Sequence, residues 1–256
     1  MFKNALLIFF VLLATVVTHT SFLWIILKKK ISYWQAFKSI CLIFALNKLL
    51  LTGSGYAMMS WKLRYDKLDI AESISSFLVF EFFSLLPWLI LGFYFGAKIT
   101  VSIPIFLWIF LLLVLLFIYI KRKTAVKIIS ASIDYLKTIK SNLIFTIPFM
   151  VLNMFLSLYY YHLLMGIFRK SLFLPDILRI ISIAITVGYL SPVPSGLGFK
   201  ETSLVLLFRQ KGLSWEESSL IAITDRLIIT FFYANLGIIF AYDLIKTVLS
   251  SKRKKA

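Results

Sequence analysis

The chain has 256 residues, of which 61% are hydrophobic, and carries a formal net charge of +17. Soluble domains are about 45–50% apolar, so this composition and a mean hydropathy of +0.93 exclude a soluble globular protein and point to one membrane domain over 1–256. The basic charge lies between membrane segments, which argues against nucleic acid and for anionic lipid head groups, worth ~1 kcal/mol per basic residue near the surface; the single cysteine, Cys41, excludes an intrachain disulfide or a cysteine-based metal site.

The first apolar run, 4–27, is long enough to cross a ~30 Å hydrocarbon core. It lacks a small-residue cleavage site followed by a polar region, so it is expected to be a first transmembrane helix and not a cleaved signal. A shorter apolar region, 31–68, is interrupted by Thr52-Gly-Ser-Gly-Tyr56 just after Lys48. Spanning helices are expected over 70–97, with Glu81 inside, and over 99–120. Residues 121–140 place Ala125, Ile128, Ile129, Ile133 and Leu136 at helical spacing, with Lys123, Lys127 and Lys137 on the other side. This pattern predicts a basic amphipathic helix on the cytoplasmic leaflet that links the two halves, the alternative being a solvated linker. A span over 141–168 follows, then a second interrupted region, 172–212, then a span over 215–245 carrying Asp225-Arg226, and a basic tail, Lys252–Lys255.

The second interruption, Ser191-Pro-Val-Pro-Ser-Gly-Leu-Gly-Phe-Lys-Glu201, is the most informative stretch. Prolines stop helices and glycines admit backbone shapes that other residues avoid. In hydrocarbon such a break persists only when buried in protein or facing a wet cavity, and transporters build sites on broken helices. A tight interhelical loop at the membrane surface is the other reading. The two interruptions read alike, offset by 143 residues at their glycines and by 144 at the acids Glu81 and Asp225. The expected architecture is an all-α polytopic helical bundle, with two helix-break, re-entrant motifs in an inverted internal repeat. The first repeat covers about 1–97, the linking segment 98–140 and the second repeat about 141–248. With both interruptions dipping in and returning, 19 of the 28 basic residues share one face and 8 the other, with Arg226 inside. The positive-inside rule then puts the N-terminus outside and the C-terminus in the cytoplasm. Seven full crossings would separate 121–140 from the basic tail and fit that rule worse.

Ionisable groups at membrane depth cost at least ~2.5–3.5 kcal/mol and usually serve a purpose. The candidate substrate path therefore comprises Lys48, Gly53, Gly55 and Glu81 from the first repeat and Pro194, Gly196, Gly198, Lys200, Glu201, Asp225 and Arg226 from the second. Adjacent residues diverge by ~100° on a helix, so Asp225 and Arg226 are expected to find separate partners. Glu201 or a lipid phosphate is the candidate for Arg226. Lys200 and Glu201 open a short helix whose free amides could help hold an anionic head group, or Glu201 simply caps it. Internal salt bridges that hold the bundle together are the competing reading for all of these. His19 and His162 are expected to hydrogen-bond between helices rather than bind metal, and Trp24, Trp34 and Trp61 to anchor at the interface. No nucleophile–base pair, P-loop, dinucleotide loop or zinc cluster is evident, so neither enzymatic activity nor a cofactor or metal is expected.

Pro194-Ser-Gly-Leu-Gly-Phe-Lys-Glu201, then Leu213-Ser-Trp-Glu-Glu217 and Asp225-Arg226-Leu227, resembles the C-terminal signature of the lysylphosphatidylglycerol synthase transmembrane-region family of flippase-like membrane proteins. Ser195 replaces the family's first glycine and Lys200 its usual arginine. The match is specific over about 190–237. The first break departs further, because Gly53-Ser-Gly-Tyr56 lacks the family's acidic residue, and Lys62 or Arg64 stands in for its basic one. The resemblance implies a lipid translocase in a bacterial or archaeal cell membrane that moves a phospholipid or related anionic or aminoacylated lipid between leaflets. It also implies a stand-alone membrane region without the synthase domain, with transport that is passive or driven by a gradient. Two other functions stay open. One is an accessory subunit of a lipid-modifying or glycosyltransferase system, docking through 121–140. The other is a membrane enzyme acting on a lipid phosphate, with Glu81, Glu201 and Asp225 around a metal ion.

Overall fold

The computed structural model describes residues 2–49, 54–65, 70–96, 122–191, 193 and 196–253. The expected span 99–120 and the site candidates Gly53 and Pro194 lie outside the described residues. Backbone groups in hydrocarbon must be satisfied within their own segment, and every regular element among the described residues is accordingly helical. The helices are α1 (Phe2–Ile26), α2 (Tyr33–Leu49), α3 (Ser54–Tyr65), α4 (Ile70–Gly96), α5 (Arg122–Leu143), α6 (Ile147–Ile167), α7 (Leu174–Leu190), α8 (Phe199–Gln210) and α9 (Trp215–Arg253). Among the described residues four segments are long and apolar enough to cross a membrane: Lys3–Ile26, Glu72–Gly96, Ser130–Ile167 and Trp215–Tyr242. Three of them match the expected spans 4–27, 70–97 and 215–245; Ser130–Ile167 contains most of the expected 141–168 but begins earlier, within the stretch expected as a surface helix, and the chain is an integral membrane protein. By contrast α2 and α7, of 17 residues each, and α3 and α8, of 12 each, reach only ~25 Å and ~18 Å at 1.5 Å per residue.

The junction expected near residue 140 is not a break. One 3₁₀ turn, Ile144–Thr146, joins α5 to α6 with helical dihedrals on both sides, and Pro148 sits in the first turn of α6, where its missing N–H costs nothing. The side chains of 122–129, including the expected apolar positions Ala125, Ile128 and Ile129, lie outside the description. Further along, Tyr135 and Ile139 are buried while Ile133, Lys137 and Lys140 are exposed. Tyr135 donates its hydroxyl hydrogen to the Ile26 carbonyl at 2.7 Å, fixing α5 to the end of α1.

Contacts between helices display the repeat. α1 and α6 pack antiparallel, with Asn4 against Gly166 near one end and Asn153 3.4 Å from His19 Nε2 midway. Since α1 opens the first repeat and α6 the second, the two repeats point in opposite directions. The other packings then come in matched pairs: α2 on α3 with α7 on α8, α3 on α4 with α8 on α9, and α2 on α9 with α7 on α4. The last pair is held by matched glycines. A Cβ on Gly92 of α4 would stand 2.1 Å from Thr186 Oγ1 and 2.8 Å from the Ser182 carbonyl of α7, and one on Gly237 of α9 would stand 2.3 Å from Ala45 Cβ of α2.

Ion pairs fix where each short pair begins and ends. Lys30, before α2, pairs at 2.5 Å with Glu72 in the first turn of α4. Lys170, before α7, pairs at 2.5 Å with Glu217 in the first turn of α9, and Lys211, after α8, pairs at 2.5 Å with Asp176 at the start of α7. Each short pair therefore leaves one end of the bundle and returns to it. Because α1 and α6 are antiparallel, those two ends are opposite.

Candidate functional site

The tips of the two short pairs carry the polar residues. At the second tip Ser191 Oγ donates to the Gly188 carbonyl at 3.0 Å and closes α7. The chain then turns through Gly196, at φ +63°, where a Cβ would meet the Gly188 carbonyl oxygen at 2.6 Å. Only glycine combines that dihedral with that approach. Gly198, at φ +84°, precedes α8, and Glu201 Oε2 accepts from its backbone N–H at 2.8 Å. At the first tip Gly55 approaches the Ile43 backbone so closely that a Cβ would stand 2.5 Å from its carbonyl oxygen. Its N–H donates to Asn47 Oδ1 at 2.9 Å, and Ser54 Oγ donates to the Leu46 carbonyl at 3.2 Å.

Adjacent residues on α9 engage adjacent residues on α8. Lys200 Nζ lies 2.9 Å from Asp225 Oδ2, and Arg226 Nη1 lies 3.4 Å from Glu201 Oε1. Asp225 is only 1% exposed and the other three side chains 17–19%, so Asp225 is buried and its neighbours partly buried. The Lys200 ammonium also lies over the Tyr161 ring, 5.8 Å from its centroid. In the first repeat Glu81 of α4 accepts a hydrogen bond from Tyr56 of α3 and interacts with Tyr189 of α7. Tyr56 and Lys200 are 144 residues apart, as are Glu81 and Asp225. One geometry thus occurs twice, as a phenol–carboxylate contact in the first repeat and an ammonium–carboxylate pair in the second. Lys48, partly buried at the end of α2, interacts electrostatically with Lys200, Arg226, Asp225, Glu201 and Glu81.

The structure thus brings Lys48, Glu81, Lys200, Glu201, Asp225 and Arg226 into one cluster between the two tips, with Gly55, Gly196 and Gly198 shaping the backbone around it. Each carboxylate faces a donor on its own repeat. Among the described residues no three His, Cys, Asp or Glu side chains converge as a metal site would require, so the picture of Glu81, Glu201 and Asp225 around one ion has no geometric support. Tyr56, Tyr161 and Tyr189 were not singled out by the sequence. The 144-residue offset, applied to Lys200, is the one signal that leads to Tyr56. On the outer side of the cluster a groove of about 360 Å³ lies between α8 and α9 and is lined by Gly198, Glu201, Thr202, Trp215, Ser219 and Ile223. Trp215 and Ile223 are 54% and 55% exposed, so the groove opens on the surface of the bundle and reaches inward to Glu201.

Of the two histidines, only His19 is seen to contact a neighbouring helix through its ring nitrogen, at Asn153. His19 Nδ1 contacts the Thr15 carbonyl at 2.8 Å, and its ring packs edge-on against Phe44 and Phe80. His162 stacks on Tyr159 of its own helix. Trp24 donates its indole N–H to the Ile31 carbonyl at 2.9 Å, and Trp34 is half-exposed and stacked on Phe37; the Trp61 side chain lies outside the description.

Fold and cluster together define a helical integral membrane protein with an ionic centre enclosed by an inverted repeat. The chain belongs to the lysylphosphatidylglycerol synthase TM region family, whose model matches residues 3–237. The match extends well beyond the motif at 190–237 and covers both repeats, placing the chain among membrane proteins of lipid metabolism or transport. No curated protein and no solved structure matches it.

Proposed function

We propose that the protein is a lipid translocase, not an enzyme, and that it moves the head group of a phospholipid or related anionic or aminoacylated lipid through the ionic cluster while the acyl chains stay in the bilayer. The observation that carries this reading is the position of the cluster. It lies between the tips of two short helix pairs that come in from opposite ends of the bundle. In this reading both pairs are re-entrant in the membrane, with the turn through Gly196 and Gly198 facing a polar interior, as broken helices do at transporter sites. Partners placed in matched positions on inverted repeats give two alternative, nearly equivalent packings, which alternating access needs. Membrane lipids are the partners, and Pro194, Gly196, Gly198, Lys200, Glu201, Asp225, Arg226, Glu81, Gly53, Gly55 and Lys48 form the path.

Arg226 gives the sharpest test. Its guanidinium faces Glu201, which also lines the groove open to lipid, so it stands where a head-group phosphate entering from that groove would exchange for the carboxylate. In proteoliposomes holding labelled zwitterionic, anionic and aminoacylated lipids, the wild-type chain is expected to move one class between leaflets and Arg226→Ala to lose that movement while remaining folded. Equal movement by the folded variant overturns the site; no movement of any lipid by the wild type overturns the translocase reading.

A further inference from the structure

Away from the cluster, the seam between the two repeats holds a second set of polar groups. His19 of α1 and Asn153 of α6 meet midway along the antiparallel pair, with Asn153 Nδ2 3.4 Å from His19 Nε2. His19 Nδ1 lies 2.8 Å from the Thr15 carbonyl oxygen. A carbonyl only accepts, so Nδ1 carries a hydrogen and donates it. In the neutral ring Nε2 is then an acceptor, which the Asn153 amide NH2 satisfies. That arrangement leaves Asn153 Oδ1 buried without a hydrogen-bond partner, and the Ser84 hydroxyl of α4, in the same pocket, likewise. Buried unpaired polar atoms are unfavourable. A half-turn of the amide reverses the contact. Oδ1 then faces Nε2 and can accept from it only if Nε2 also carries a hydrogen, which makes the ring an imidazolium. The NH2 group turns instead into the pocket that it shares with the hydroxyls of Ser84 and Thr18.

We infer that His19 and Asn153 form a proton-binding site at the seam between the repeats, and that the proton is the ion whose gradient drives lipid movement. The inference rests on the translocase reading and deepens it by naming the energy source. The pocket is too tight for a water molecule, and among the described residues no three metal-ligating side chains converge, so a proton is the cation it admits. The other side chains that line the pocket carry no charge. Of the titratable groups on the helices packed around it, Glu81 of α4 is turned to Tyr56 and Tyr189. Cys41 and Lys48 of α2 lie a turn to either side of Phe44, and Tyr160 and Tyr161 of α6 lie two turns beyond Asn153. A charged Nε2–H···Oδ1 bond is stronger than the neutral contact it replaces, so the proton tightens one repeat on the other. An imidazolium that loses Oδ1 as the repeats shift becomes an unpaired buried charge and gives its proton up. Holding the proton in one packing and releasing it in the other is what coupling to a gradient requires. The ring also reaches the helices of the cluster, packing on Phe44 of α2 at 5.0 Å and on Phe80 of α4, next to Glu81, at 5.8 Å. The site is single. His162 follows His19 by 143 residues, the offset of the tip glycines, but it is exposed and stacks on Tyr159 of its own helix.

The test uses the full chain and has two arms. The sequence has only 2 histidines, so side-chain nitrogen NMR in detergent reads each ring, and His19→Gln identifies the His19 signal. His19 is expected to take up a proton between about pH 5 and 8, and Asn153→Leu to abolish that uptake within the window. A His19 signal that stays constant over the window, or that changes equally in Asn153→Leu, overturns the site. Coupling is read in proteoliposomes with trace labelled phosphatidylglycerol and phosphatidylethanolamine under a pH gradient, the membrane potential held at zero. With one proton per lipid, each pH unit supports about a tenfold ratio of labelled lipid between the leaflets. Wild type and His162→Gln are expected to build that ratio for the lipid they move. His19→Gln, which keeps a hydrogen-bonding side chain but binds no proton, is expected to leave the lipid evenly distributed. An even distribution in the wild type, or the ratio retained in folded His19→Gln, overturns the coupling. The two readings fail separately. Lipid movement that ignores the gradient sinks only the proton inference, whereas movement of no lipid sinks the translocase and the coupling with it, and the NMR titration alone then decides the proton site.

Discussion

Glu81 and Asp225 occupy the same place in the two repeats and have different partners. Glu81 sits with hydroxyls from Tyr56 and Tyr189; Asp225 holds the ammonium of Lys200 and is almost wholly buried. The difference teaches that the repeat preserves a contact between a short helix and the long one that follows, while its charge varies. Removing one member of a buried ion pair strands the other charge and costs about 3–5 kcal/mol. Removing the charge from a carboxylate held by neutral donors leaves the hydrogen bonds largely possible and costs about 1 kcal/mol. Asp225→Asn is therefore expected to destabilise the protein several-fold more than Glu81→Gln, by denaturant unfolding in one detergent. Equal losses would break the comparison and mean that Glu81 has a cationic partner in the folded state.

The second comparison is between the matched glycines. Alanine normally stabilises a helix by ~1 kcal/mol relative to glycine. Here a methyl group at position 92 would collide with the Thr186 hydroxyl and a backbone carbonyl, and one at 237 with Ala45. Overpacking costs about 1–3 kcal/mol, so Gly92→Ala and Gly237→Ala are both expected to lower stability despite the better helix propensity. Gly92→Ala strikes fixed backbone as well as a side chain. Gly237→Ala meets only the Ala45 methyl, so Ala45→Gly is expected to rescue it, and no single side-chain truncation on α7 is expected to rescue Gly92→Ala fully. Rescue of both, or of neither, would show that the two interfaces are packed alike.

The sequence shows its spans because hydropathy over a bilayer's thickness is a property of a run of residues, and three of the expected spans are found at their places, with most of a fourth inside a longer one. The inverted repeat is legible for a related reason: glycines and charges inside apolar helices are rare enough for their order to stand out. The divergence of Asp225 and Arg226 follows from helix geometry alone, and each has its own partner on α8. Tyrosine partners are a different matter. The chain has 12 tyrosines, and nothing local separates Tyr56 or Tyr161 from those that sit at the interface or in the core. The join at Ile144–Thr146 was hidden as well, because a change from basic to apolar composition looks like a boundary even where the helical backbone continues.

The smallest effect concerns the ends of the short pairs, where Lys30–Glu72 and Lys170–Glu217 do the same work at opposite ends of the bundle. Both pairs are well exposed, with lysines at 45% and 38% and acids at 24% and 37%. Exposed ion pairs contribute about 0–1 kcal/mol and weaken in salt, so their fixed positions follow from the topology rather than create it. Each α2–α3 or α7–α8 pair is already committed to its end by packing against α4 and α9. Glu72→Gln and Glu217→Gln are therefore each expected to lower stability by under about 1 kcal/mol, a loss that shrinks further as ionic strength rises. Glu217 also accepts the Ser214 backbone N–H at 3.0 Å while Ser214 Oγ accepts from the Glu217 N–H at 3.1 Å, a reciprocal cap on α9. No such cap is seen at Glu72 among the described residues, and a glutamine at 217 can still accept the Ser214 N–H, so the extra loss of Glu217→Ala over Glu217→Gln in high salt measures what the cap adds. An equal extra loss of Glu72→Ala over Glu72→Gln would mean that the two ends are fastened in the same way.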